Sequence, residues 1–386
     1  MFENLDQIDW KNLGHHVYQR HEKIPGEIRD LLSQDAQIRD DARDFLLGGG
    51  QDYGSICDTT PHIIPFLFEI LAAPEAPGKT ELLHQLSDTA AGASYPAEHS
   101  VYQMRLNLRT YDAFKNGLEL LIRLLKHGSK ELQLASIEVL ICMTDEVALL
   151  IPEFIEQFQV EQEEDVQLAL LKGLKNLLSS LDWWSNAIRK QYTPFFAQVV
   201  ETQHSQRIRL AAARASVECA GWLHSQNEAL LPKVAGLLSQ EFLEQSSALD
   251  YKKFDRKYSE SEHLIQDLSR LGPEPLLGLL QEPGISAVQA HLIARGLLAQ
   301  AFVHLNFNRL HWQQFPDHDR RKDGLFYIKH SGVRQDKWLP KNRALQAILN
   351  NDRVWEIPTN LLSFFYGLPD TRETLRALLA QLGPSS

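Results

Sequence analysis

What most constrains this chain is a pair of short patterns that recur together along most of its length. The first is a loop residue or proline that opens an apolar run. It reads IPGEIRDLL from Ile24, IIPFLFEIL from Ile63, LLIPEFIEQF from Leu149, YTPFFAQVV from Tyr192, LLPKVAGLL from Leu230 and GPEPLLGLL from Gly272. With Pro25, Pro65, Pro152, Pro194, Pro232 and Pro275 as markers, and Gly117 in the equivalent place before LELLIRLL, successive intervals run from 35 to 52 residues. An interval of about 40 residues suits one stacked helix pair. Proline has no N–H to lose in a first helical turn and its fixed φ suits a helix start, so each marker is predicted to head a first helix.

The second pattern follows most of these runs. In AQIRDDARDFL, KELQLASIEVL, EDVQLALLKGL, QRIRLAAARAS and SAVQAHLIARGLL, a β-branched or leucyl residue (Ile38, Leu132, Val166, Ile208, Val288) precedes Arg or Gln (Arg39, Gln133, Gln167, Arg209, Gln289). Three positions beyond comes a mostly small residue, Ala42, Ser136, Leu170, Ala212 or Leu292. Small residues let neighbouring helices approach, and the long polar side chain is placed to cap or bridge backbone groups of an adjoining repeat. Between the markers the apolar spacing is helical, as in Leu118, Leu121, Ile122 and Leu125, and clean strand-like alternation is hard to find. At least six antiparallel helix pairs are predicted between Pro25 and Gln300, with Leu118, Leu121, Leu125, Val166, Leu170 and Leu174 buried between them.

A Pro-headed first helix followed by a second helix beginning Asp-x-x-Val-Arg-x-x-Ala resembles the HEAT repeat, and QDAQIRDDARDFL from Gln34 carries that second motif almost fully. The resemblance covers roughly residues 10 to 300. The segments WKNL from Trp10, WEIPTNLL from Trp355 and YGLPDTRETLRALLAQL from Tyr366 are similar to the opening and closing segments of a group of bacterial HEAT-repeat proteins. The resemblance implies an all-α HEAT-like α-solenoid superhelix that presents an extended surface to another macromolecule. On this reading residues 1–300 form the array and residues 301–386 an atypical C-terminal cap continuous with it.

The repeat is interrupted at several places. LLGGGQDYGSICDTTP from Leu46 has three consecutive glycines without the order of a phosphate loop. GASYPAEHSVYQMRLNLRTYDAF from Gly92 interleaves Tyr95, His99, Tyr102 and Tyr111 with Arg105 and Arg109, which suits either the packing of a widened repeat or an interface. Lys252, Lys253, Arg256 and Lys257 surround Phe254 and Tyr258. From Asp319 to Arg343 eight basic residues face three acidic ones, flanked by Trp312 and Trp338, in a chain whose formal charge is -11. Within that stretch Leu325 to Ile328 reads as a short strand or an exposed aromatic loop.

No coherent catalytic constellation appears. There is no HExxH and no GxSxG. The clusters His15, His16, His21 and His311, Asp317, His318, Asp319 lack metal-ligand spacing, and Glu163, Glu164 and Asp165 are explained by a helix start. Cys57, Cys142 and Cys219 lie far apart and read as reduced, inert thiols. The acidic opening MFENLDQIDW is unlike a signal peptide, no stretch reaches membrane-spanning length, and a cytoplasmic protein is expected.

The sequence thus reads as a noncatalytic protein-protein interaction scaffold or adaptor, with an inhibitor or immunity protein that covers a basic toxin surface as the nearest subtype. No catalytic, cofactor-binding or metal-binding residue is assigned. A protein partner is expected, with no membrane. Candidate partner-binding residues are Tyr102, Arg105, Arg109, Trp183, Trp184, Lys252, Lys253, Arg256, Lys257, Trp312, Arg320, Arg321, Lys322 and Trp338. The alternative is a nucleic-acid binder of the HEAT-like alkylpurine DNA glycosylase type, which the overall acidity disfavours. A HEAT-like phycobilin lyase shares only the scaffold.

Overall fold

The computed structural model describes residues 1–13, 21–48, 56–94, 101–181, 186–219, 231–247, 256–302, 341–356, 372–373 and 375–377. Among the described residues every regular element is helical and there is no strand. The chain divides into two compact units, residues 1–189 and 190–386. The stretch Leu325 to Ile328 lies outside the described residues.

In the first unit, α1 (Ile24–Asp30) and α2 (Ala36–Leu47) form a pair, followed by α3 (Thr60–Ala72), α4 (Lys79–Ser94) and α5 (Val101–Asn116). Then come the pairs α6 (Leu118–His127) with α7 (Lys130–Leu140) and α8 (Val147–Val160) with α9 (Glu164–Ser180). Helices α1, α3, α5, α6 and α8 touch in succession along one row; α2, α4, α7 and α9 do so along a second. This two-row stacking is helical-repeat-like. Helix α5 is an extra member of the first row, packed on both α3 and α4, and it accounts for the interval of 52 residues between Pro65 and Gly117.

Helix α10 (Asn186–Thr202) begins in the first unit and lies mostly in the second. The second unit continues with α11 (Gln206–Cys219), α12 (Leu231–Ser246), α13 (Arg256–Arg270), α14 (Pro273–Leu280), α15 (Ala287–Phe302) and α16 (Lys341–Asn350). Here α11, α13 and α15 touch in succession, as do α12 and α14.

Local signals set the helix ends. The Asp35 side chain accepts from the Gln37 amide to start α2, and the Ser129 side chain accepts from the Leu132 amide to start α7. Gly48 closes α2 in the left-handed conformation that glycine adopts without steric cost. The proline markers divide. Pro25 sits in the first turn of α1 and Pro232 is the second residue of α12, as anticipated. Pro273, two residues before the marker Pro275, heads α14. Pro65, Pro152 and Pro194 lie inside α3, α8 and α10 instead, because the helices begin earlier, on Thr60, Val147 and Asn186. All three interior prolines face solvent. For Pro152 and Pro194 the residues whose carbonyls lose a partner, Ala148 and Lys190, are exposed too, so water can take the place of the missing bond.

The apolar stripes are where the periodicity puts them. Leu118, Leu121 and Leu125 are buried, as are Val166, Leu170 and Leu174. Close packing leaves no room at Gly173, where an added Cβ would lie 2.6 Å from the Phe154 ring. Ile38 departs from its counterparts Val166, Ile208 and Val288: they are buried and it is exposed, since α2 opens its row and has no earlier neighbour among the described residues.

The Arg or Gln of the second pattern makes the same kind of bond in every copy. Arg39 Nη1 donates to Ser33 O at 2.8 Å, and Gln133 Nε2 to Leu125 O at 3.0 Å. Gln167 Nε2 reaches Glu161 O at 2.9 Å, and Arg209 Nε reaches Val200 O at 3.0 Å. Gln289 Nε2 reaches Leu243 O at 3.2 Å. In the first four the acceptor is a carbonyl at or just past the end of the preceding helix, where intrahelical donors have run out. Gln289 reaches past α14 to α12.

Gln133 also donates to Glu161 Oε2 at 3.0 Å. Gln157 Nε2 binds the same oxygen at 3.0 Å, while the amides of Gln162 and Glu163 bind Oε1 at 2.8 and 3.0 Å. Burial pushes the Glu161 carboxyl up, but the four hydrogen bonds outweigh it and hold the group below the usual carboxylate range. Glu161 therefore ties α7 to α8 and to the start of α9.

Gln133→Leu keeps the volume of a buried side chain but leaves the Leu125 carbonyl without its donor. The variant is expected to lose about 1–3 kcal/mol in urea unfolding. An unchanged midpoint would show that this bond does not stabilise the pair.

Candidate functional site

Of the sequence candidates, Tyr102, Arg105 and Arg109 fall within described structure, all on α5. The inward face of that helix is fixed by buried Leu106, Asn107, Thr110, Tyr111, Ala113 and Phe114. Phe114 meets Phe68 of α3 edge-on at 6.1 Å. The Tyr111 hydroxyl accepts from the Asp145 amide at 2.9 Å, and burial pushes its pKa up to about 12, so it stays protonated.

The outward face carries exposed Tyr102, Met104 and Leu108 beside exposed Arg105 and Arg109. The Tyr102 hydroxyl donates to Asp58, a bond that pushes the phenol's pKa upward. Arg109 Nη2 lies 2.9 Å from His62 Nε2. Burial, and then the Arg109 charge, push His62 below the usual histidine value, so the neutral ring accepts the guanidinium's hydrogen bond. Both interruptions read from the sequence thus meet here, the segment ending in CDTTP and the one containing Tyr102.

A second surface was not legible as a site. Residues 1–189 hold 30 Asp plus Glu against 16 Lys plus Arg, a formal charge of -14, whereas residues 190–386 hold 20 against 23. On the second row, Asp40, Asp41 and Asp44 of α2, Glu81 and Asp88 of α4, and Glu131 and Glu138 of α7 are all exposed. Gln85 Nε2 donates to Asp44 at 3.3 Å and His84 Nδ1 lies 2.6 Å from Glu138, which joins the three helices into one acidic face. Residue counts show the charge, but only the packing of α2, α4 and α7 gathers it.

In the second unit the succession α11, α13 and α15 hides charged groups. Asp267 of α13 is buried, and its carboxylate accepts from Arg214 Nε of α11 at 3.0 Å and from Arg270 Nη1 at 2.9 Å. Burial pushes its pKa up to about 6 against the pull of the two guanidiniums, so at neutral pH it remains the anion that holds them. Arg295 of α15 pairs with Glu262 of α13. One turn before Arg295, His291 is 2% exposed and neither ring nitrogen has a hydrogen-bond partner among the described residues. Burial and the neighbouring Arg295 push it down to about 4.

Trp183, Trp184, Lys252, Lys253, Trp312, Arg320, Arg321, Lys322 and Trp338 lie outside the described residues, as do His15, His16 and the cluster around His311. Arg256 and Lys257 open α13, with side chains outside the described set. Within the basic stretch that ends at Arg343, Arg343 itself is described, and it pairs with Glu274 of α14 at 2.8 Å. Cys142 is largely buried and its thiol is pushed up to about 11, an inert state. Among the described residues no group of His, Cys, Asp and Glu is placed to hold a metal ion, and no helix is long and apolar enough to cross a membrane.

No protein-family model matches the chain, and no curated protein matches it. A solved structure of an engineered protein from the Northeast Structural Genomics Consortium aligns over 95% of this chain and 90% of its own, at 13% identity and a TM-score of 0.39.

Two outcomes follow from the titrating histidines. In Arg109→Met the His62 pKa is expected to rise towards 6.5, as read by NMR titration of its imidazole; an unmoved value would place the cation elsewhere. For His291 the sign is set by its low folded value. As pH falls from 6.5 towards 4 the unfolded chain takes a proton that the folded chain refuses, so stability is lost across that window. His291→Leu removes this loss. Between neutral pH and about 4.5 the parent should lose roughly 2 kcal/mol more than the variant. Asp267, whose raised value acts in the opposite direction, is common to both proteins and cancels. Parallel pH profiles would contradict the assignment.

Proposed function

We propose that this chain is a noncatalytic protein-protein interaction scaffold built as a HEAT-like α-solenoid, with the array in residues 1–300 and a cap in residues 301–386. Its nearest subtype is an inhibitor or immunity protein that covers a basic protein surface. The observation that carries the reading is the acidic face across α2, α4 and α7, where seven exposed carboxylates stand on rigidly packed helices in a unit of formal charge -14. Such a face focuses a negative potential, which accelerates encounter with a basic partner and disfavours acidic ones. It equally disfavours a phosphate backbone, which is why protein is preferred to nucleic acid as the partner of this unit.

The helices make good mounts for it. Gln133, Gln167 and the Glu161 carboxylate lock successive pairs, so the carboxylates are presented in fixed array rather than on loops. The two-row stacking supports the solenoid reading, and the second-pattern bonds support its HEAT-like character.

The test is capture from cells of the native source with full-length protein, followed by association kinetics on the captured partner. A stoichiometric basic protein is expected, with an on-rate that falls steeply between low and physiological salt. Asp40→Lys, Asp44→Lys and Glu138→Lys together should slow association by about tenfold or more at low salt, with an unchanged helical spectrum. An on-rate indifferent to salt and to the triple substitution would sink the proposal.

A further inference from the structure

We infer that the outward face of α5 is a second docking surface, opposite in charge to the first, for an amphipathic helix whose apolar side chains are bordered by carboxylates. The inference rests on the reading of the chain as an interaction protein but uses different residues and a different kind of contact.

Large apolar side chains that remain open to solvent are few among the described residues. Three of them, Tyr102, Met104 and Leu108, fall within seven residues on this one helix, at 58%, 53% and 59% exposure. Met104 and Leu108 stand one turn apart, about 6 Å along the axis. Arg105 and Arg109 form a parallel row with the same spacing. Two parallel rows, one apolar and one cationic, match a helix that repeats an apolar residue and an acidic one every turn. A methionine adapts its shape to what lies on it, and Tyr with Arg are the side chains that most often anchor such contacts.

The charge pattern selects the sign of the partner. Several cations of this unit are matched by carboxylates: Arg29 by Asp6, Lys126 by Glu153 and Glu156, and Lys130 by Asp165. Arg105 and Arg109 have no carboxylate partner among the described residues, although the unit holds 30 acidic residues. Arg109 rests on neutral His62 instead. Of the nearby acids, Asp58 is engaged by the Tyr102 hydroxyl, and Asp112 stands near Lys115, which pairs with Glu146. The two guanidiniums are left for an incoming carboxylate, which they can bind in bidentate fashion.

The chain has three methionines, which makes the test direct. Full-length protein labelled at the methionine methyl carbon gives signals from Met1, exposed Met104 and buried Met143. The probe is an acetylated helical peptide of about 16 residues with leucine on one face and glutamate beside it, compared with its lysine counterpart. The Met104 signal should shift saturably with the glutamate peptide while Met143 stays in place, and the lysine peptide should bind about tenfold more weakly or worse. Arg105→Glu with Arg109→Glu should remove that preference. If Met143 moves in this variant, Arg105→Gln with Arg109→Gln replaces it. An unmoved Met104, equal response to the two peptides, or undiminished binding by the arginine variants would overturn the inference. The acidic-face variant Asp40→Lys, Asp44→Lys, Glu138→Lys should leave the Met104 response intact, so the two readings fail separately.

Discussion

The helix termini set the central constraint on this architecture. A stack of short helices has many ends, each leaving carbonyls without intrahelical donors, and those ends are buried wherever one pair meets the next. The chain meets this demand with one device, an Arg or Gln in the first turn of the second helix. Arg39, Gln133, Gln167 and Arg209 turn back on the carbonyls just before them, and Gln289 reaches α12. At Gln133 the same amide also meets the Glu161 carboxylate, so the cap of one pair becomes the joint to the next. Packing of Leu, Ile and Phe supplies most of the driving force, and these bonds fix the register in which it is collected.

Once the ends are closed, the outer faces are released for other purposes, and the first unit divides its charge between two of them. The second row displays carboxylates with few cations between. In the first row the inserted α5 sets Arg105 and Arg109 beside exposed Tyr102, Met104 and Leu108. An insertion that merely filled space would bury its apolar residues. Here one set, from Leu106 to Phe114, is buried against α3 and α4, and the other is left in solvent. The two surfaces are complementary to partners of opposite charge, which is what the proposed interaction role would use.

The second unit uses polarity inwardly. Asp267 collects Arg214 and Arg270 across α11 and α13, and Arg295 meets Glu262 across α13 and α15. Burying these groups costs solvation that the pairing must offset, and the arrangement specifies which helices can be neighbours. His291 beside them is held neutral, so its protonation at low pH opposes the folded state of this unit.

Sequence alone determined the helical class, the pair length and most of the core, because these follow from local period and from side chains near in the chain. The stripe Leu118, Leu121, Leu125 and the Gln133 motif could be read directly, since their partners lie within about one helical hairpin. Helix starts were less legible: Pro65, Pro152 and Pro194 look like first-turn residues, but upstream apolar side chains extend the helices past them. Tyr102, Arg105 and Arg109 were recognisable by type, while their outward direction, and the pairing with Asp58 and His62, depend on contacts more than 40 residues away. The acidic face and the buried Asp267 and His291 had no local signal at all. A carboxylate on a helix reads the same whether it faces water or a guanidinium, and only the stacking of one pair on the next decides between them.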